Sequence, residues 1–252
     1  MFKLDDKVAI VTGSGSLKGI GREIALALAK QGASIVVADL NKEGIESTVQ
    51  AVQEAGAKAL GVELNVTNKE SVDTMVEKVL AEFGRIDILV NNAGISQKVT
   101  VEDMTLEDIQ RVFNVNMFGL FLTTQAVLKP MKEQKFGRII SLSSVSAKRG
   151  GGVFGGAHYS ASKAAVLGFS KNLAREVATD GITVNCVAPG LVNTEIWKSL
   201  PEDDARKVID GIPIGRPGET AEIATTIAFL ASEEASYITG EDIDINGGSH
   251  MD

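Results

Sequence analysis

The chain has 252 residues, 44% of them hydrophobic, enough to bury a substantial core as one domain. Its 25 Lys and Arg stand against 33 Asp and Glu, a net charge of -8, which removes the electrostatic case for nucleic acid or an anionic membrane surface. The single Cys186 excludes an internal disulfide, the first ten residues lack a long apolar signal core, and no apolar run reaches the roughly 18 to 20 residues of a membrane span, so a reducing cytoplasm is expected.

In chain order, short β-branched runs fall at 7–11 (KVAIV), 34–39 (SIVVAD), 58–64, 87–94, 138–144, 183–190 and 242–248. Helical periodicity lies between them: Ile45, Val49 and Val52 before Gly56, then Val72, Met75, Val76, Val79 and Phe83 before Gly84. The second of these helices is expected to open on Thr67 and Glu70 as a capping box. Near-continuous apolar strands alternating with helices imply βαβ units. The expected fold is therefore α/β: a single doubly wound domain over 1–252, with a seven-stranded parallel sheet and helices on both faces. The segment at about 191–219 contains Pro201, Pro213 and Pro217 and is expected to be an insertion covering the strand ends.

Ligands in such folds sit beyond the carboxyl ends of the strands. There the stretch TGSGSLKGIG (12–21) leaves the first strand and enters a helix. Gly13 would let the chain turn out of the strand, while Gly19 and Gly21 would bring backbone and a helix N-terminus onto a pyrophosphate. A tight connection without ligand is the plainer reading of these glycines alone. Asp39, ending the second strand, favours a dinucleotide, because its carboxylate can accept hydrogen bonds from ribose hydroxyls.

A second constellation is HYSASK (158–163), which puts Tyr159 and Lys163 four residues apart on one helical face. An ammonium beside a phenol stabilises the phenolate and would make Tyr159 a general acid and base near neutral pH. A chance surface pair is the plainer reading of this spacing by itself. The preceding strand, however, ends at SLSSVS (141–146), which places hydroxyls on the same sheet edge.

With TG…GIG, NNAG (91–94), FNVNMFG (113–119), SLSSVS, YSASK (159–163) and VAPG (187–190) in this order, the chain resembles the short-chain dehydrogenase/reductase family over essentially its whole length. The resemblance implies that Ser144 hydrogen-bonds the substrate oxygen and that Tyr159 donates or accepts the proton. Lys163 would lower the Tyr159 pKa and hold the nicotinamide ribose, and Asn116 would support a water-linked relay to Lys163. It implies cofactor contacts from Gly13, Ser16, Gly19, Ile20, Gly21, Asp39, Asn65, Val66, Asn92, Ala93, Gly94, Tyr159, Lys163, Pro189, Gly190, Val192 and Thr194. A homo-oligomer, dimer or tetramer, is implied as well, and the long helical stretches at 105–128 and 160–177 carry apolar residues on more than one face.

The sequence departs from the family pattern at four places. Gly13 and Gly19 enclose five residues, two more than usual, read as a bulge in the same loop. Asn65 replaces the usual acidic residue, and its amide oxygen is expected to accept from the adenine amino group. The glycine-rich stretch KRGGGVFGGAH between Ser144 and Tyr159 is also longer and would shape the substrate pocket; its Lys148 and Arg149 would either meet an anionic substrate or be two solvated charges. Asp180 stands where carrier-protein reductases of the family tend to have a basic residue, with Lys135 keeping basic character at the other docking position.

On that last point a small polar polyol or sugar-type alcohol or ketone ranks above a 3-oxoacyl group bound to acyl carrier protein. A non-catalytic dinucleotide sensor is the alternative of another class. NAD is the expected cofactor: a carboxylate at Asp39 would repel a 2′-phosphate, against a partial attraction from Lys18, giving NAD preference by about tenfold. Cys186 reads as core, and His158 and His250 give no ligand spacing for a metal. Trp197 would cap a substrate or anchor its segment.

Overall fold

The computed structural model describes residues 2–194 and 202–251. Seven strands form one parallel sheet: β1 (Val8–Thr12), β2 (Ser34–Asp39), β3 (Ala59–Glu63), β4 (Ile88–Asn91), β5 (Gly137–Leu142), β6 (Ile182–Pro189) and β7 (Asp242–Ile245), in the spatial order β3-β2-β1-β4-β5-β6-β7. Every residue of β1, β4, β5 and β6 is buried, as a parallel strand covered on both faces requires. Because side chains alternate along a strand, each strand feeds two cores. Val11, Val37 and Val90 pack against Ile24 and Leu28 of α1 (Ile20–Lys30) and Ile223 and Ile227 of α9 (Thr220–Ala231). Ile10, Val36 and Leu89 pack on the other face against Met75 and Val79 of α3 (Lys69–Phe83), Val127 and Met131 of α5 (Leu120–Gln134), and Leu173 of α7 (Ala157–Val177).

β1 pairs with β2 on one side and β4 on the other, so the strand order reverses there and opens a crevice at the carboxyl ends, the place where such sheets hold ligands. Among the described residues no helix is long and apolar enough to cross a membrane.

Two expectations about helices are corrected. The cap of α3 is Asn68, whose side chain accepts from Ser71 N at 2.8 Å. Thr67 instead bonds Asn65 Oδ1 through both its amide and its hydroxyl; Asn caps as well as Thr and here lies one residue nearer the helix. The run at 105–128 is not one regular helix. α4 (Leu106–Phe113), capped by a Thr105–Asp108 box, passes into a π-helical segment, Asn114–Gly119, before α5 begins.

The segment at 191–219 is pinched at its base, where Val192 bridges Gly218, Gly218 N donates to Leu191 O at 2.9 Å and Asn193 N to Gly218 O at 2.8 Å. It carries α8 (Glu202–Asp210); Trp197 lies outside the described residues.

Candidate active site

A cavity of about 780 Å³ opens along the carboxyl edge of the sheet. Every residue named from the sequence as a catalytic or cofactor contact lines it except Asn116.

At one end the chain turns out of β1 at Gly13, whose φ of +67° only glycine adopts without strain. A Cβ there would lie 2.8 Å from the Ala93 Cα, and one on Gly21 would run into the Gly13 carbonyl. These glycines therefore clear a backbone surface at the N-terminus of α1, the arrangement that accepts a pyrophosphate. Asn92 staples the crevice: its Nδ2 donates to Thr12 O and Gly13 O, both at 2.8 Å, and Ala93 N donates to Thr12 Oγ1 at 3.0 Å. The Asn92 side chain thus shapes the cradle rather than facing into it.

The two-residue bulge is tied inward. Gly15 N donates to Asp39 Oδ2 at 2.8 Å, Thr48 Oγ1 donates to Ser14 O at 3.0 Å, and a Cβ on Gly44 of α2 (Lys42–Glu54) would collide with the Gly15 carbonyl. Asp39 also accepts from Asn41 N at 3.0 Å through its other oxygen. Its carboxylate is therefore held at the cavity wall, with one lone pair on each oxygen still available. Asn65 departs from expectation. Its carboxamide oxygen already accepts twice from Thr67, so only its NH₂ group remains to meet an adenine, as a donor.

At the other end, β5 delivers Ser143 and Ser144, and α7 delivers Tyr159 and Lys163. Ser144 caps α6 (Val145–Arg149): its Oγ accepts from Ser146 N at 3.1 Å, which leaves the hydroxyl proton to donate elsewhere. Lys163 is buried, and its Nζ donates to Leu142 O at 2.7 Å. Burial pulls its pKa down from 10.5 to about 8. Burial pushes the Tyr159 phenol up, and it is the Ser144 hydroxyl that opposes the rise.

Asn116 sits in the π-helical segment. Its Oδ1 accepts from Ile95 N at 2.8 Å, while its Nδ2 donates to Ile95 O at 2.9 Å and Ser162 Oγ at 3.0 Å. Both Nδ2 hydrogens are thus engaged by protein, while Oδ1 keeps one lone pair. It remains close to the catalytic group, because a Cβ on Gly94 would sit 3.3 Å from Asn116 Oδ1 and 3.4 Å from Lys163 Nζ. The roles of Ser162 and of the π-helical turn went unread in the sequence. Ser162 stands inside YSASK, but its bond to Asn116 spans 46 positions.

Lys148 is neither a solvated charge nor a substrate contact. It is 10% exposed and pairs with Asp242 at 3.1 Å and Asp244 at 2.9 Å, fixing α6 to β7. Asp242 is pushed up by burial, against which Lys148 works. Arg149 does line the cavity. Cys186 is buried and its thiol is pushed up to about 12 by burial, which makes it inert core. Among the described residues no group of three or more His, Cys, Asp or Glu could hold a metal ion.

Comparison with known proteins agrees with this geometry. Residues 13–250 match the family model described as enoyl-(acyl carrier protein) reductase. The chain is 43% identical over 251 residues to the 3-oxoacyl-[acyl-carrier-protein] reductase of Escherichia coli, covering 99% of this chain and 100% of that protein. It is 42% identical over 248 residues to the (2S)-[(R)-hydroxy(phenyl)methyl]succinyl-CoA dehydrogenase subunit BbsD of Thauera aromatica, covering 98% of each. A short-chain type dehydrogenase/reductase from Mycobacterium marinum superposes with a TM-score of 0.93 at 37% identity, covering 100% of this chain and 98% of the other. With a serine and a tyrosine–lysine pair gathered beside a glycine cradle at the switch point of the sheet, the chain belongs to the short-chain dehydrogenase/reductase family of oxidoreductases.

Proposed function

We propose that this protein interconverts a 3-oxoacyl thioester and its 3-hydroxyacyl counterpart, with NAD(H) as cofactor. The observation that carries the substrate class is the wall of the cavity beyond Ser144, where Val145, Val153, Phe154, Leu191 and Val208 stand. A polyol would lose its hydroxyl hydration against these side chains without gaining partners, at a cost of roughly 1 to 3 kcal/mol per unpaired group. An acyl chain gains from the same contacts. The relatives point the same way, and together these displace the polyol ranking drawn from Asp180.

The carrier is read from Asp180 itself. It pairs with Lys135 at 2.7 Å and Lys132 at 3.7 Å, and the lysines hold its carboxyl below its usual range. The single carboxylate thereby offsets one of the two lysines that would greet an acidic carrier protein, and this weakening of the basic position favours a small thioester such as one of CoA.

Gly13, Ser16, Gly19, Ile20, Gly21, Asn92, Ala93 and Gly94 would hold the adenosine and pyrophosphate, Asp39 the adenosine ribose, Asn65 and Val66 the adenine side, and Pro189, Gly190, Val192 and Thr194 the carboxamide end. When bound, the dinucleotide supplies or takes the hydride. The Ser144 hydroxyl orients the substrate oxygen. Tyr159 gives its phenolic proton to that oxygen during reduction and takes it back during oxidation. Lys163, braced by Leu142 O, would hold the nicotinamide ribose and supply a positive charge behind the site. Asn116 fixes the Gly94–Ile95 turn against α7. The 191–219 segment covers the substrate, and the whole chain acts as one domain. Exposed Phe118 and Phe121 suit burial between copies in a homo-oligomer, and a reducing cytoplasm suits the buried free thiol.

Steady-state absorbance of reduced nicotinamide tests the reading with acetoacetyl-CoA, the same acyl group on carrier protein, and a panel of polyols and polar ketones. CoA-thioester turnover with NADH preferred to NADPH is the expected result. Turnover confined to polyols overturns the substrate class, and no turnover with any of them leaves the sensor reading.

A further inference from the structure

We propose that Arg149 is an anion-recognition residue, so that the substrate carries a carboxylate, or a group of like charge, beyond the carbonyl that reacts. This rests on the alcohol–ketone chemistry assigned to the same cavity. α6 begins at its Ser144 cap and ends at Arg149, a rise of about 7 Å, so the guanidinium lies further along the wall that carries the reacting serine. Val145, Ser146, Val153 and Phe154 line the same cavity, and they present no competing cation.

The partners of the two adjacent basic residues differ in kind. Lys148 is taken up by Asp242 and Asp244, whereas Arg149 makes one hydrogen bond among the described residues, from Nη1 to the Ser249 carbonyl at 3.0 Å. A guanidinium has five N–H donors in a planar fork, so four remain, and no carboxylate among the described residues pairs with them. The Lys148 pairs hold the last turn of α6 to β7, and Gly150, Gly151 and Gly152, all at positive φ, turn the chain away at once. Arg149 is thus presented from a fixed base on an open stretch of wall. A carboxylate reaching it would form charge-assisted, two-pronged hydrogen bonds.

The test compares kcat/KM for two matched pairs: a CoA thioester of a 3-oxo dicarboxylic acid against its uncharged alkyl analogue, and a simple ketone bearing a carboxylate against its methyl ester. For Arg149→Met the acid-to-neutral ratio should fall about tenfold or more, mainly through KM, and Arg149→Lys should recover part of it. In the wild type, raising salt from about 0.05 to about 0.5 M should lower the same ratio, since an exposed pair is screened over a few Å; this arm needs no variant. A ratio unchanged within about twofold, or a loss that appears in dinucleotide affinity instead, overturns the assignment. If the ketone pair shows the effect while no thioester turns over, the thioester reading fails and the anion site stands. Turnover of neither pair removes both.

Discussion

At the dinucleotide end of the cavity, side chains from adjacent strand ends hold the wall through short bonds: Asn92 to the Thr12 and Gly13 carbonyls, Gly15 to Asp39, Thr48 to Ser14. At the other end, the proposed substrate end, the wall includes a glycine-rich loop whose base is held among the described residues by Lys148 to Asp242 and Asp244. The first end is built on sheet geometry and recognises what every reaction of this kind shares. The second hangs from helix ends and loops, where substitutions change the substrate without disturbing the sheet. On the proposed reading, chemistry occurs where they meet, at Ser144, Tyr159 and Lys163.

The largest expected effect lies at that meeting point. Tyr159→Phe should lower kcat by about 10² to 10⁴ while dinucleotide affinity stays close to that of the wild type; near-wild-type turnover would remove the phenol from the proton transfer. Next is the substrate-end anchor. Lys148→Met leaves Asp242, whose side chain is only 7% exposed, without its cation, and should cost about 2 kcal/mol of stability, read by denaturant unfolding. A loss below about 0.5 kcal/mol would show that α6 does not need this clamp.

Lys163 gives a pH signature. Its folded-state pKa is about 8 against a reference of 10.5, so between these values the unfolded chain binds the proton and the folded chain does not. Its burial penalty is present below about pH 8 and is relieved as pH rises toward 10.5, a change on the order of 3 kcal/mol across the full window. Wild-type stability measured against Lys163→Met should therefore rise from pH 8 to pH 10 in the dinucleotide-free chain. A flat difference sinks the assignment of a depressed pKa.

The cofactor end is probed by Asp39→Ala. NAD should be preferred about tenfold by the wild type, equivalent to 1.4 kcal/mol, and the variant should narrow that gap. Equal use of both cofactors by the wild type refutes the argument. The smallest effect is expected at Asp180→Arg, which removes the one acidic charge beside Lys132 and Lys135 and should raise kcat/KM for the carrier-protein substrate a few-fold relative to the CoA thioester; an unchanged ratio would mean that this patch does not meet a carrier.

The sheet was legible because buried parallel strands read as apolar runs, and the dinucleotide end because its loops follow strand ends at fixed spacing. What escaped depends on distance in sequence or on single hydrogen bonds. Nothing local to Lys148 announces Asp242 and Asp244, more than ninety positions away. Six π-helical residues between two α-helices leave the apolar periodicity almost intact, so NVNMFG read as continuous helix. Thr67 fits a capping box as well as Asn68 fits a cap, and only the turn at Asn65 decides between them. The direction of the Tyr159 shift depended on how far burial outweighs the hydrogen bond with Ser144, which spacing cannot convey.

The contact between Gly15 and Gly44 has a consequence for engineering. A side chain at position 44 would occupy the space of the Gly15 carbonyl, so the lengthened first loop and the missing side chain on α2 form a single steric unit. Grafting the loop onto another scaffold requires carrying the second glycine with it. Shortening the loop here leaves a vacancy above α2 that a larger residue at 44 could then fill.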